Sequence, residues 1–454
     1  MGLFSITCGI TAFAQDTVSV SLDEFIKRGI ENSGQIRYAR QNVRMADNRI
    51  NQAHAQRYLP RFELTTQHGL VPGVVSKRDD LGPNEYYLDP NLENDWENWA
   101  VFTRAEVSAL QPIFTWGALR NVVHAAKAGA KAAEEQFLAE KAGIELRLYE
   151  LYLSYVLALE TERLLEDAQE QINRVDRQIK KMQKEGDTNL DESDVFKFEV
   201  FKSEFEARIA EVREGSGYVR GVWNYVLQAD EEMVYQPEVS FLDPVTNAIE
   251  PLAYYQKHAI EGRPEVRAIE SGIEAAGYGL KATKAQYYPS VLLGLTGSYA
   301  NTPNRPRQSN PFIINNTNYA SGAFGIVIRQ NLDFFSTKTS VDASEIQYKQ
   351  AQYLKEAAVD GIVLQVSDKY KNARLSKAKI EKTNDALVTS KKWVRQEQLD
   401  YDFGIGDTKD LLDAVRKELE LRVQQKQQIF EFNQDMAELF NAAGIPLTTL
   451  KLNN

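Results

Sequence analysis

The stretch that decides the fold runs from Gln52 to Leu64, QAHAQRYLPRFEL, and returns from Lys281 to Leu293 as KATKAQYYPSVLL. Both stretches place an alanine second, a tyrosine seventh and a proline ninth. In each, a helical segment ends at the proline and an alternating apolar segment follows it. The chain therefore contains two copies of one supersecondary plan.

The duplication extends beyond these stretches. Two further motifs of the first copy return in the second: Gln111-Pro112-Ile113 with Trp116 returns as Gln330-Asn331-Leu332 with Phe335, and Gly186-Asp187-Thr188 returns as Gly406-Asp407-Thr408. The motifs keep the same order in both copies. This order predicts helix, strand, strand and helical hairpin in each copy.

Four segments alternate apolar and polar residues with a period of two, which predicts strands with one apolar and one polar face. In the first, Phe62 and Leu64 alternate with Glu63 and Thr65. The predicted strands lie at about residues 60–68, 99–111, 289–300 and 319–332. Long connections rich in Pro, Asn, Asp and Gly join the two strands of each pair, at 69–98 and 301–318.

Proline is absent from residues 113–236 and 312–445, and its absence permits very long helices. Each span is predicted to hold one helical hairpin, at about 117–229 and 336–442. Apolar residues in the first hairpin follow steps of three and four, which is the heptad seam of a coiled coil. The outbound seam is Leu165, Ala168, Ile172, Val175, Ile179 and Met182, and the returning stripe is Phe198, Phe201, Phe205, Ile209 and Val212.

The second hairpin carries a similar outbound seam. Its members are Ala351, Leu354, Ala358, Ile362, Val366, Tyr370 and Ala373. The predicted organisation is then a first copy at 15–229, a connector at 230–263, a second copy at 264–442 and a C-terminal tail at 443–454.

The N-terminal residues have the features of an export signal. Leu3 to Phe13 are apolar or small, and Ala12-Phe13-Ala14 before Gln15 fits a cleavage site. No Lys or Arg precedes this stretch, which is a departure from the usual signal. Residues 1–14 are predicted to be a signal peptide, and Thr7 disfavours the alternative that Cys8 is acylated.

Composition excludes several classes of function. The net charge of -11 and the lack of a basic run argue against a nucleic-acid partner. His54, His68, His124 and His258 are scattered without ligand spacing, and no nucleophile lies beside a base. We therefore expect no metal site, no cofactor and no enzymatic activity.

No apolar run approaches the roughly 20 residues of a membrane helix, so any membrane span must be built from strands. Four amphipathic strands cannot bury their own edges in lipid, where unpaired backbone groups cost several kcal/mol each. Several chains must then complete one closed sheet. The alternative from another class is a soluble coiled-coil interaction scaffold, which would stay in solution without detergent.

The duplicated plan resembles the TolC family of outer-membrane efflux and secretion channels. The residues that carry the resemblance are Tyr58-Leu59-Pro60, Tyr287-Tyr288-Pro289, Gln111 to Gly117 and Tyr401 to Asp413. The resemblance implies an α+β membrane protein, a homotrimer in which each chain gives four strands to a 12-stranded transmembrane β-barrel. It also implies a trimeric α-barrel of long coiled-coil hairpins in the periplasm of a Gram-negative bacterium.

The resemblance further implies a periplasmic gate. Asp410 and Asp413 match an aspartate pair that lines the family's constriction, and Tyr401 matches a tyrosine that holds the closed tip. The spacing of three places both carboxylates on one helix face. In the alternative interpretation, Asp410 is only an acid at a helix start, where the helix dipole favours it. The family often carries an arginine in this turn, where this chain has Gly406.

The implied function is an exit duct across the periplasm and outer membrane for a tripartite efflux pump or a type I secretion system. The expected partners are a periplasmic adaptor protein, an inner-membrane pump and outer-membrane lipid. The hairpin tips are predicted to dock the adaptor, through Gly186, Asp187, Thr188, Gly404, Gly406, Asp407 and Thr408. Pro60, Pro112 and Pro289 are predicted to mark the transitions between strands and helices.

Overall fold

A computed structural model of the chain describes residues 17–81, 85, 89–185, 192–229, 233–307, 312, 315–403 and 408–452. The first part of the chain forms β1 (Thr17–Val20), α1 (Leu22–Asn32), α2 (Gly34–Tyr58), β2 (Arg61–Val75), β3 (Glu93–Phe114), α3 (Ala118–Glu185) and α4 (Glu192–Leu227). The second part forms β4 (Val234–Pro237), α5 (Leu252–Gly262), α6 (Pro264–Lys284), β5 (Ser290–Asn301), β6 (Tyr319–Arg329), α7 (Phe334–Asp402) and α8 (Thr408–Ala442). The predicted signal peptide lies outside the described residues.

The chain divides into two compact units, and neither unit coincides with one copy of the repeat. One unit comprises residues 1–42, 134–268 and 355–454, and the other comprises residues 43–133 and 269–354. Each unit therefore combines segments from both copies.

The second unit contains an antiparallel sheet with the strand order β2-β3-β5-β6. The first copy pairs Arg61 with Leu110, and the second pairs Ser290 with Arg329. The two copies meet where β3 pairs with β5, with Leu110 opposite Gly294. The sheet contains the four predicted strands, and it is open among the described residues.

The first two strands are longer than the alternation predicts. Residues 70–75 continue β2 through part of the expected loop, and the β2–β3 ladder shifts register between Pro72 and Gly73. Gly69 permits the extension, since a Cβ there would lie 2.5 Å from a ring carbon of Phe102. A glycine or proline is thus tolerated inside a strand where a side chain of the partner strand fills the space of a Cβ, or where the ladder is irregular.

The proline-free spans form helices of 68 residues in α3 and 69 residues in α7. Each is followed by a shorter helix, α4 or α8, as the predicted hairpins require. Among the described residues, no helix has both the length and the hydrophobicity to cross a membrane.

The predicted seam of the first hairpin is confirmed except at Met182, whose side chain lies outside the described part of the chain. Leu165, Ile172 and Ile179 on α3 are buried in one cluster with Phe198 and Phe205 on α4. Leu412 and Leu419 of α8 pack against the same cluster. The heptad spacing identified these contacts because residues three and four apart lie on one helix face.

The predicted seam of the second hairpin is wrong at its start. Ile362, Val366 and Ala373 are buried in the main core of the first unit, but the Leu354 side chain is 58% exposed. Periodicity shows which residues share a helix face, but it does not show whether another element covers that face.

The first unit has a large aromatic and aliphatic core. Trp223 is fully buried and stacks on Phe25 with the ring centroids 4.5 Å apart. Phe25 is held by α1, whose N-terminus is capped: the Ser21 hydroxyl accepts a hydrogen bond from the Glu24 backbone N–H. Next to α1, β1 pairs in parallel with β4 of the connector, a pairing that the sequence pattern does not predict.

A buried ion pair attaches the connector to the long helices. Glu160 of α3 and Lys426 of α8 approach to 2.5 Å between Oε1 and Nζ. The second Glu160 oxygen accepts a hydrogen bond from the Leu242 N–H, and Lys426 donates to the Leu242 carbonyl. Asn433 of α8 adds bonds to the backbone of Asp243 and Val245. These bonds satisfy backbone groups that hydrophobic packing would leave unpaired.

Candidate functional site

The open sheet has two chemically different faces. Because residues directly opposite each other in antiparallel strands share a face, the register defines rows of side chains across all four strands. One row is apolar and consists of Phe62, Ala109, Leu295 and Phe324. A row on the other face is polar and consists of Thr65, Glu106, Ser298 and Ser321.

The apolar face is exposed within the chain. Phe62 is 70% exposed and Phe324 is 85% exposed, and Ile326 and Ile328 of the same face are also exposed. Soluble monomeric proteins rarely leave so many large apolar side chains together in water. This face therefore requires an apolar environment that the described part of the chain does not supply.

The strand-to-helix transitions repeat in the two copies. The Gln111 amide donates to the carbonyls of Arg57 and Pro112, and the Gln330 amide donates to those of Tyr287 and Asn331. Pro60 and Pro289 immediately precede β2 and β5. Pro112 lies near the end of β3, at a shift in the ladder, where its missing N–H does least harm.

Trp116 belongs to the first transition motif, and the sequence pattern does not predict its partner. Its indole N–H donates to the Pro289 carbonyl at 2.9 Å, and its ring stacks on Tyr288 at 4.9 Å between centroids. The contact joins the two transition motifs directly. The two transition motifs occupy equivalent positions in the two copies. This equivalence is the sequence signal from which the contact could have been predicted.

The proposed gate residues lie at the start of α8. Asp410 is in the first turn, and both Asp410 and Asp413 are exposed. Leu411 and Ala414 between and beside them are buried, so the two carboxylates occupy the opposite, outward face. The arrangement agrees with the predicted shared face. Asp410 also occupies a position that the helix dipole favours, as the alternative interpretation requires.

Asp413 borders a groove of about 710 Å³ between the beginnings of α4 and α8. Phe196 and Val200 give the groove exposed apolar surface. Arg416 and Lys409 lie in the same groove and bring positive charge near the carboxylate. Tyr401 is half-buried near the end of α7.

Most of the predicted adaptor-docking residues lie outside the described part of the chain. This applies to Gly186, Asp187, Thr188, Gly404, Gly406 and Asp407. Thr408 is the first residue of α8.

Comparison with known proteins identifies the class. The family model described as "Outer membrane efflux protein" matches residues 25–194, within the first copy of the repeat, and residues 256–444, which include the second copy. The chain belongs to this family of outer-membrane efflux channels, whose members are not enzymes. The resemblance to the TolC family is confirmed.

The fold is similar to those of solved channels at low sequence identity. CusC, whose structures concern folding and transmembrane channel formation, has a TM-score of 0.74 at 16% identity over 94% of this chain and 93% of its own. VceC from Vibrio cholerae has a TM-score of 0.70 at 18% identity, covering 93% of this chain and 96% of its own. The open-state MtrE channel of Neisseria gonorrhoeae has a TM-score of 0.71 at 16% identity, covering 93% and 89%. A search of curated proteins by sequence gives no match.

Proposed function

We propose that this protein is the outer-membrane exit duct of a tripartite efflux pump or a type I secretion system in a Gram-negative bacterium. In this proposal three chains each contribute four strands to a 12-stranded barrel, and their hairpins form one periplasmic conduit. The observation that carries the proposal is the sheet with one exposed apolar face, one polar face and two outer strands that pair on one side only among the described strands.

Lipid and water together account for the two faces. Placed outward, the row from Phe62 to Phe324 meets hydrocarbon. The row from Thr65 to Ser321 then lines an aqueous lumen, as in other membrane barrels. A soluble coiled-coil scaffold would leave the apolar row in water, and the comparisons with known proteins give that alternative no support.

The proposed gate and docking surfaces complete the duct. Asp410 and Asp413 from three chains would set about six carboxylates around the aperture, which favours cations and repels anions. The Gly-Asp-Thr turns would present the hairpin tips to a periplasmic adaptor that links the duct to an inner-membrane pump. Family membership supports these assignments, and so does the shared exposed face of the two aspartates on α8.

Two neighbouring positions on β6 test the proposed function. Phe324→Arg puts a charge on the lipid-facing row, which costs about 2–4 kcal/mol at the middle of a membrane. Ala323→Arg puts the same charge on the polar face. We expect Phe324→Arg to reduce the amount of protein in the outer-membrane fraction strongly, while Ala323→Arg inserts and shifts ion selectivity toward anions.

The measurements are membrane fractionation and single-channel recording in planar bilayers. Normal insertion of Phe324→Arg would reject the assignment of the lipid face. Wild-type protein that remains soluble and monomeric without detergent would reject the channel itself.

A further inference from the structure

The outer strands of the sheet present unpaired edges. β2 pairs only with β3, and β6 pairs only with β5, among the described strands. In lipid every backbone N–H and C=O must be satisfied, so both edges need another strand. A second copy of this chain can supply it, because β6 and β2 run in opposite directions in the antiparallel order β2-β3-β5-β6.

The internal repeat shows how the two edges match. Pro60 and Pro289 align the two copies, so Thr65 and Gly294, each five residues after its proline, are equivalent. Arg61 and Ser290 are equivalent in the same way. Arg61 pairs with Leu110 and Ser290 pairs with Arg329, so Leu110 is equivalent to Arg329. In the junction between the copies, β3 pairs with β5. Because β6 is equivalent to β3 and β2 is equivalent to β5, a junction between β6 and the β2 of another chain would join equivalent strands.

We propose that β6 of one chain pairs with β2 of a neighbouring chain in the register of the β3–β5 junction. Leu110 lies opposite Gly294 in that junction, so Arg329 lies opposite Thr65 of the neighbouring chain. Along the strand, Val327 then lies opposite Gln67, and Ile326 opposite His68. The proposal rests on the proposed function and specifies which residues join one chain to the next.

The alternation of faces is consistent with this register and excludes a slip of one residue. Ile328, Ile326 and Phe324 of the apolar face fall opposite Thr66, His68 and Leu70, which continue the face of Phe62 and Leu64. A slip of one residue would place these apolar side chains opposite the polar face, because successive residues alternate between faces. The aligned residues, 65–71 of β2 and 323–329 of β6, lie below the ladder shift at Pro72.

Charge gives a second, independent indication. Arg329 of one chain lies diagonal to Glu63 of the neighbouring chain on the polar face, a distance that long side chains span. Both side chains are exposed, and no ion pair is recorded for either within the described part of the chain. At the internal junction the equivalent positions are Leu110 and Leu292, so this charge pair belongs only to the junction between chains.

Cysteine pairs test the register. In a Cys8→Ser background, which removes the single native cysteine, Gln67→Cys is combined in turn with Val327→Cys, Gly325→Cys or Arg329→Cys. The Cα atoms of directly opposite residues are about 4.5–5.5 Å apart, within the range of a disulfide, whereas a shift of two residues exceeds about 7 Å. After oxidation we expect interchain cross-links with Val327→Cys, and no more than background with the other two.

The outcomes separate the register from the function. Particle mass in detergent and bilayer insertion are measured first on the reduced protein. An inserted oligomer that cross-links only through Gly325→Cys or Arg329→Cys, or through none of the three, overturns the register and leaves the channel intact. A soluble monomer overturns both.

A charge exchange checks the diagonal pair. We expect Arg329→Glu to lower the temperature at which the detergent-solubilised oligomer dissociates, because two acids then face each other. Adding Glu63→Arg should recover most of the loss. If the dissociation temperature does not recover in the double variant, the predicted proximity of these two residues is contradicted.

Discussion

At the residue scale, Trp116 and Gly117 form the turn from β3 into α3. Their φ angles are 51° and 83°, in the left-handed region that costs most residues energy. Trp116 offsets this cost through its hydrogen bond to Pro289 and its stacking on Tyr288. Gly117 has no Cβ and adopts the same region without penalty.

The first prediction concerns this turn. Gly117→Ala should lower the free energy of unfolding by about 1–2 kcal/mol, because a Cβ is disfavoured at this φ. Gly129→Ala is the matched control inside α3, where an added Cβ meets nothing within 4 Å. The control should be stabilised by about 0.5–1 kcal/mol, since glycine weakens a helix interior. Denaturant midpoints in detergent measure the stability of both variants. Equal shifts in the two midpoints would contradict the role of the positive φ at Gly117.

The second prediction concerns pH. Burial raises the pKa of Glu150 on α3 above its ordinary value of 4.5, and the nearby Glu438 carboxylate adds to the effect. A group with a raised folded-state pKa destabilises the fold as pH rises through that value, because the folded state holds the proton more tightly. Glu150→Gln should therefore be more stable than wild type at pH 7, with the difference vanishing near pH 4.

Denaturant midpoints at several pH values between 4 and 7 measure this effect. Glu140→Gln, an exposed acid on the same helix, is the control and should show no comparable pH-dependent gain. A Glu150→Gln gain that is constant with pH would mean that packing, not ionisation, causes it.

At the scale of elements, the hairpins show how one helix serves two purposes. In α8, Leu411 and Ala414 are buried while Asp410 and Asp413 are exposed, and Leu412 and Leu419 pack on the coiled-coil cluster of α3 and α4. Hydrophobic burial thus orients the helix, and the orientation leaves the carboxylates for another role.

The third prediction tests that role. Asp410→Ala with Asp413→Ala should raise single-channel conductance and weaken block by multivalent cations. The block constant should change about fivefold or more, since a single charge contact at about 4 Å in water is worth about 1 kcal/mol. Asp342→Ala with Glu345→Ala removes one exposed and one half-buried acid at the same spacing from α7 and should leave both properties unchanged. Unchanged block in the first variant would remove the gate assignment.

At the scale of the whole molecule, the chain functions only through its partners in the proposed arrangement. Each of its compact units combines both copies of the repeat, and the two outer strands of its sheet each pair on one side only among the described strands. Family membership places it among efflux channels, and the hairpin tips are the parts proposed to meet the rest of the export machine.

The fourth prediction tests the tips. Gly186→Leu with Gly406→Leu should abolish efflux and leave the oligomer intact, because bulky side chains would block the adaptor. Gly215→Leu with Gly361→Leu is the control within the helices, where an added Cβ meets nothing within 4 Å. Drug accumulation in cells and native particle mass are the measurements. Efflux that persists in the tip variant would move docking elsewhere.

Much of the fold was predictable from local rules. The strand alternation, the proline-free helices and the seam from Leu165 to Ile179 are all visible in the sequence, because backbone geometry fixes the periods of two and 3.6 residues. The shared face of Asp410 and Asp413 follows from the same geometry. The family resemblance depends on these local motifs and their order.

Only the tertiary structure decided which faces find partners. Leu354 follows the same period as Ile362 but remains exposed, and the Trp116 bond to Pro289 and the Glu160 pair with Lys426 join residues far apart in sequence. The strand register that underlies the proposed junction between chains is also a tertiary property. Periodicity assigns a residue to a face, whereas contact depends on how distant segments pack, and no local pattern contains that information.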